Sequence, residues 1–264
     1  MWLDEERPIS KRDLVWGQPF VNASGTLGFT PDPRDAPALN HLGAFITNPI
    51  SRVPRFPAAN RACIPFAGGF LLHTGHPNPG ITRAVTHFRR RWAKSPLPVI
   101  VHLLVDAPDA LTEMVRKLEG LDNITAVELG LPPDCDPDRF LAIMDAGSGE
   151  LPLIPCVNPN QIPVILDALE QLRPVAVHLI EPRGALLARD GEIVVGRLYG
   201  PTIFPVMLEA SLVLVNAGLR VIANGGVTTR SQVDALMDVG VTAVGLGSAL
   251  WGAGQGLNLF SEQP

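Results

Sequence analysis

Two glycine-rich turns carry the clearest chemistry in the chain. Asn224-Gly225-Gly226-Val227 and Gly245-Leu246-Gly247-Ser248-Ala249 each follow a short apolar run and lead toward helical sequence. Glycine lets backbone N–H groups approach a phosphate without a Cβ in the way, and a helix N-terminus adds about half a positive charge. Together they read as a phosphate cup; two tight turns without a ligand would need the same letters. Other reactive side chains gather in two stretches without clear periodicity. Pro49 to Ile81 holds His73, His76 and Asn78, suited to acid–base or substrate contacts, and Glu181 to Tyr199 holds Glu181, Arg183, Arg189, Asp190 and Arg197. Arg183 has the fork geometry to clamp an anion. His102, between Val101 and Leu103, reads as a hydrogen-bonded core histidine, and Arg89 to Lys94 as a solvated basic helix face.

These groups need a scaffold. Short apolar runs occur at Phe20–Ser24, Ala44–Asn48, Val99–Leu104, Ala126–Leu131, Leu153–Val157, Val175–Ile180, Arg220–Ala223 and Ala243–Leu246. Helical periodicity fills Pro33–Leu42, Thr82–Ala93, Pro108–Leu121, Asp136–Asp145, Asn160–Leu172, Pro201–Ala217 and Thr228–Val239. Asp136-Pro137 reads as N-cap and N1, while Gly218 and Gly240 read as helix stops. Alternation of this kind implies parallel strands joined by right-handed crossovers, and eight of them can close into a (β/α)8 TIM barrel. An open doubly wound sheet fits less well, because Asn22-Ala-Ser-Gly-Thr26 lacks the G-x-G-x-x-G turn. The two aperiodic stretches become long loops at the C-terminal mouth, where barrel active sites lie. Gly252 to Gly256 shortens the last helix, leaving a seam suited to a subunit contact.

Composition narrows the functional classes. The 264 residues suit one domain, 1–264, and 46% hydrophobic against 18% charged residues excludes a disordered chain. A net charge of −5 offers no global positive field for nucleic acid. Cys63, Cys135 and Cys156 lie far apart, which argues against a zinc cluster or disulfide framework, and no His, Asp or Glu group has metal-ligand spacing, so no metal is expected. Met1 to Trp16 is charged and lacks a signal-peptide core, and no apolar window spans a membrane. The expectation is a soluble cytoplasmic protein without nucleic-acid or membrane partners.

Gly196-Arg-Leu-Tyr-Gly-Pro-Thr-Ile-Phe-Pro205, Val221 to Val227 and Ala243 to Ala249 resemble the C-terminal third of the dihydroorotate dehydrogenases. Asn22-Ala-Ser-Gly-Thr-Leu-Gly28 and Gly75-His-Pro-Asn-Pro-Gly-Ile81 are similar to motifs of that family's N-terminal half, in the same order. The resemblance implies an FMN-containing barrel. In it Gly225, Gly226, Gly247 and Ser248 would hold the flavin phosphate, Ala23, Ser24 and Gly25 would line the ring, and Gly200 would contribute backbone. It also implies a dihydroorotate-to-orotate activity in pyrimidine biosynthesis as the family's default.

The chain departs from that pattern around the ring. Asn48 stands where the family has a lysine and Cys156 where it has a flavin-contacting lysine, Gly130-Leu-Pro-Pro-Asp134 replaces N-x-S-C-P-N, and Glu181-Pro182 replaces Asn-Thr. Losing a lysine beside the ring removes a contact worth about a few kcal/mol to the reduced anion. Losing the asparagines removes the hydrogen bonds that discriminate orotate. Cys135, His73 and Tyr199 are the candidate replacement catalytic groups; His76, Asn78, Glu181 and Arg183 are the candidate substrate contacts. Carboxylates beside Cys135 would raise its thiol pKa. The leading reading is an FMN-dependent oxidoreductase of a small anionic substrate, homo-oligomeric, passing electrons through the flavin edge or to a separate protein. The rivals are a non-redox phosphate-ligand-binding barrel acting as a binding or partner subunit, and a flavin-free isomerase or lyase.

Overall fold

The computed structural model describes residues 14, 16–32, 36–251 and 257–260. Most of the charged N-terminus, the start of the expected first helix and Gly252 to Gly256 lie outside these residues.

Chain order is β1 (Phe20–Asn22), α1 (Ala36–Leu39), β2 (Phe45–Ile46), β3 (Ala62–Phe66), β4 (Gly69–His73), α2 (Ile81–Ala93), β5 (Val99–Leu104), α3 (Pro108–Arg116) and β6 (Ile124–Gly130). Then come α4 (Pro137–Ala146), β7 (Leu153–Val157), α5 (Ile162–Leu172), β8 (Val177–Leu179), β9 (Arg183–Leu187), β10 (Ile193–Tyr199), α6 (Phe204–Asn216), β11 (Val221–Asn224), α7 (Arg230–Val239) and β12 (Ala243–Leu246). Eight of the strands form one sheet in the order β1-β12-β11-β8-β7-β6-β5-β2. A parallel bridge between Val21 and Ala44 joins its two edges, so the sheet closes into a barrel as expected.

Local chemistry explains the helix ends. Asp136 caps α4 by accepting from the Arg139 amide at 2.8 Å, with Pro137 at N1. Thr229 and Gln232 form a capping box on α7, and Gly240 ends that helix with φ 99°.

Strand alternation separates two cores. Residues pointing outward, such as Val101, Leu103, Val127 and Leu129, pack under the helices. Residues pointing inward form a separate cluster of Val21, Ala44, Ile46, Ile100, Ala126, Ile154, Ala176, Ile222 and Ala243, which plugs the barrel.

The two long connections differ from the expected loops. They pair into a four-stranded antiparallel sheet, β3-β4-β10-β9, with Arg197 opposite Leu72 and Tyr199 opposite Phe70. Both leave the C-terminal ends of barrel strands, so this sheet caps the mouth. Glycine permits the closest approach: a Cβ on Gly200, whose φ is +118°, would lie 2.3 Å from the Gly68 carbonyl oxygen. No helix among the described residues is long and apolar enough to cross a membrane.

Candidate functional site

One step above the apolar plug the inward side chains turn polar. His102, Glu128, Cys156, His178 and Asn224 each follow a plug residue by two positions, and none is more than 2% exposed. His102 Nδ1 lies 2.5 Å from Glu128 Oε1, and His178 Nδ1 lies 2.6 Å from Glu128 Oε2. Burial pushes the Glu128 carboxyl up, but His178 and the hydrogen bonds from both imidazoles outweigh it and hold the group well below the usual carboxylate range. An ionised carboxylate only accepts, so each imidazole donates through Nδ1–H. His102 Nε2, His178 Nε2 and Asn224 Oδ1 are then buried without a partner among the described residues. Cys156 Sγ sits 3.9 Å from His102 Nδ1; burial first, then Glu128, raises its thiol well above the ordinary value.

A second polar group lies between this layer and the cap. Asn224 Nδ2 donates to Glu181 Oε1 at 2.9 Å, and Arg197 Nη1 lies 3.7 Å from Glu181 Oε2. Tyr199 stacks on Phe70 with centroids 5.2 Å apart; burial and then Glu181 raise its phenol pKa against the opposing pull of Arg197. Arg183 pairs directly across from Arg197 in the cap sheet and has no ion-pair partner among the described residues. Burial and Arg197 both lower its pKa. His76, with φ 53°, is lowered to about 3 by burial and then by Arg197, His102, Arg55 and Arg183. An uncompensated guanidinium opposite another, beside a neutral imidazole, is a local excess of positive potential.

The glycine turns flank this region on neighbouring strands. The N–H groups of Gly226, Gly247 and Ser248 have no backbone carbonyl partner among the described residues. Gly247 sits where a Cβ would be 3.3 Å from Glu181 Oε1 and 3.7 Å from Ala23 Cβ, so turn, Glu181 and the β1 loop meet there. A Cβ on Gly226 would lie 2.6 Å from the Phe204 amide nitrogen, so that glycine also serves packing. Gly225 faces Met207.

The remaining predicted residues scatter by role. Asn48 Oδ1 accepts from Gly28 N at 3.1 Å, and Ser24 Oγ donates to the Thr47 carbonyl at 3.0 Å, so both tie β1 and β2 loops together. Asn78 Oδ1 accepts from Ser51 N and Gly80 N at 3.1 and 2.9 Å, which makes it a loop brace. His73 ends β4, opposite Ala62. Cys135 packs in the outer core, its thiol pushed up to about 11 by burial, with Arg139 opposing and Asp136 and Asp134 adding. Gly200 is pressed against Gly68 and Gly69. Sequence reading missed Glu128, His178 and Asn224; their signal was a polar letter at an inward position of an otherwise apolar strand. It also expected no metal-ligating group, yet His102, Glu128 and Cys156 meet within 4.8 Å because three strands converge. Two clefts of ≈ 440 and ≈ 530 Å³ open at the opposite end of the barrel, by Thr112 and Arg116 and by Arg173 and Arg220. Neither holds these groups.

A closed parallel barrel with glycine turns and charged groups at its C-terminal mouth defines the class, a (β/α)8 barrel protein. No family model matches the chain. The catalytic subunit of dihydroorotate dehydrogenase B (NAD(+)) of Maridesulfovibrio salexigens is 27% identical over 256 residues, covering 87% of this chain and 83% of the relative. That of Pyrococcus furiosus is 23% identical over 273 residues, covering 94% and 88%. A dihydroorotate dehydrogenase of Eimeria tenella, solved with ferulenol, shares the fold with TM-score 0.73 at 13% identity over 90% of this chain and 78% of that one. In sequence the chain is thus similar to catalytic subunits of dihydroorotate dehydrogenase B, and it shares the TIM-barrel-like fold of a dihydroorotate dehydrogenase.

Proposed function

We propose that the chain is an FMN-dependent oxidoreductase acting on a small anionic substrate. The observation that carries this reading is the set of unpaired amides on Gly226, Gly247 and Ser248, side by side at the mouth on neighbouring strands. They fit a phosphate, since these half-buried N–H groups lack a protein acceptor among the described residues and the turns present no side chain there except that of Ser248. Ala23, Ser24 and Gly25, next to Gly247, would face the ring.

When bound, FMN would accept or supply the electron pair of a hydride transfer. Arg183 and Arg197 would orient the substrate's anionic group. That anion would also offset the cations depressing His76, so its imidazole would become a better proton acceptor when substrate is present. Tyr199 would keep its phenolic proton and serve as a hydrogen-bond donor. Dihydroorotate is the first substrate to try, because the curated relatives carry that activity in their names. Homo-oligomer formation and a separate electron-transfer protein belong to the same reading.

Asn48 and Cys156 at the positions where the family has lysines favour one second reading, a phosphate-ligand-binding barrel without redox turnover. Absorbance of purified protein separates the two: oxidised flavin bands in about one-to-one ratio with chain, bleached anaerobically by substrate, are expected. Colourless protein that takes up no added FMN overturns the cofactor reading.

A further inference from the structure

We propose that the polar layer inside the barrel binds one divalent cation of zinc-like chemistry, ligated by His102, Glu128 and Cys156 with His178 as the fourth ligand. The ligand atoms of the first three lie within 4.8 Å of one another and all three residues are buried. His178 Nδ1 approaches the other oxygen of the same carboxylate at 2.6 Å. Imidazole nitrogen, carboxylate oxygen and thiolate sulfur are the donors that suit zinc or cobalt(II) rather than magnesium or calcium.

Charge favours the same occupant. A divalent ion with one thiolate, one carboxylate and two neutral imidazoles sums to zero, which is the condition for placing ions where His102, Glu128, Cys156 and His178 are 0–1% exposed.

The orphaned atoms supply an independent indication. His102 Nε2, His178 Nε2 and Asn224 Oδ1 are each buried without a partner among the described residues, so the layer is incomplete as it stands. His178 Nε2 and the Asn224 carboxamide border the same space beside Gly245, where a Cβ would lie 3.1 Å from that Nε2 and 3.3 Å from Asn224 Cγ. Moving the His178 proton from Nδ1 to Nε2 frees Nδ1 for a metal. The balance is then definite: both imidazoles shift a proton from Nδ1 to Nε2, Cys156 loses its S–H proton to solvent, and two metal–nitrogen bonds, one metal–oxygen bond and one metal–sulfur bond form. The 2.5 Å His102–Glu128 spacing must open to about 3.3 Å for tetrahedral ligands at about 2.0–2.1 Å from the ion. Side-chain rotation in a lumen with glycine at 130 and 245 allows this.

The test uses the full, untagged chain. Metal analysis after purification, and again after chelation and reloading with zinc, is expected to give about one ion per chain, with about one proton released per ion taken up. Cobalt(II) loading should produce tetrahedral ligand-field bands and a sulfur-to-cobalt charge-transfer band. Cys156→Ala should abolish the charge-transfer band, and His102→Gln should lower the metal content at least tenfold, with folding of each variant confirmed by circular dichroism. Should either variant misfold, Cys156→Ser replaces it and is expected to retain the ligand-field bands while losing the sulfur band. Less than a tenth of an ion per chain, or an unchanged sulfur band in the folded cysteine variant, overturns the proposal. None of these readouts needs flavin, so a colourless protein that binds metal refutes only the oxidoreductase reading.

Discussion

The lower and upper halves of the barrel lumen are built on the same strands, two residues apart, and differ in nearly every property. Ile100, Ala126, Ile154, Ala176, Ile222 and Ala243 form an apolar plug; His102, Glu128, Cys156, His178, Asn224 and Gly245 stand above them. Both layers are buried, so exposure to bulk solvent does not explain the change. The plug needs only shape and gains from burial at roughly 25 cal/mol per Å² of apolar surface. The polar layer must satisfy every donor and acceptor to break even, and three of its atoms remain without partners among the described residues. The lower layer is therefore explained by stability, and the upper one by something it binds or does.

The sharpest way to break that contrast is to attack Glu128. Glu128→Ala leaves two imidazoles without their acceptor and opens a void, with an expected loss of about 3–5 kcal/mol. Replacing His102, Glu128 and His178 together by leucine is expected to be neutral or stabilising by about 1–4 kcal/mol, because no polar group is then stranded. Urea unfolding measures both. A triple variant as unstable as Glu128→Ala would mean that the network itself holds the barrel, and the contrast between layers would fail.

In the plug, Ile222→Ala should cost about 2–5 kcal/mol by lost transfer energy and cavity formation. The variant should keep the ligand affinity of the parent per folded molecule, measured below its unfolding midpoint. A plug substitution that weakens ligand binding without destabilising the chain would show that the two layers are not separable.

How far the sequence discloses each layer follows from the range of the forces involved. Barrel strands are legible because continuous apolar runs and helix caps such as Asp136 and Thr229 are local signals. The glycine turns are legible for the same reason, since close backbone approach selects glycine at the position itself. The cap sheet is not: β3 alternates half-buried and exposed residues and contains Pro65, and β4 meets β10 from over a hundred residues later, as in the Leu72–Arg197 pairing. The polar layer is hidden by distance along the chain. Glu128 meets His102 across 26 residues and His178 across 50, so only barrel closure shows that an apparent core histidine belongs to a network.

Titration gives a smaller effect that separates the mouth from the lumen. His76 has its pKa lowered from 6.5 to about 3, chiefly by burial, then by Arg197, His102, Arg55 and Arg183. The unfolded chain binds this proton first as pH falls, so the contribution to stability is complete above about 6.5 and declines toward 3, at up to about 1.4 kcal/mol per pH unit. Between pH 6.5 and 5, above most carboxylate titrations, the slope of unfolding free energy should be shallower in His76→Gln than in the parent. Equal slopes would place the His76 ring in water and remove it from the mouth.

The least change in stability is expected at Arg183. It faces Arg197 across the cap sheet, so Arg183→Gln relieves a like-charge pair while giving up only a partly buried side chain. A shift within about ±0.5 kcal/mol is expected. Anion binding should respond in the opposite sense to this near-silence: a small carboxylate that raises the melting temperature of the parent should lose most of that effect in Arg183→Gln, and Arg183→Lys should restore part of it, because a point charge attracts an anion but cannot hold it with a planar fork. A carboxylate that protects parent and both variants equally would locate the anion elsewhere, at the glycine turns, and would leave the two opposed guanidinium groups as a feature of the cap sheet alone.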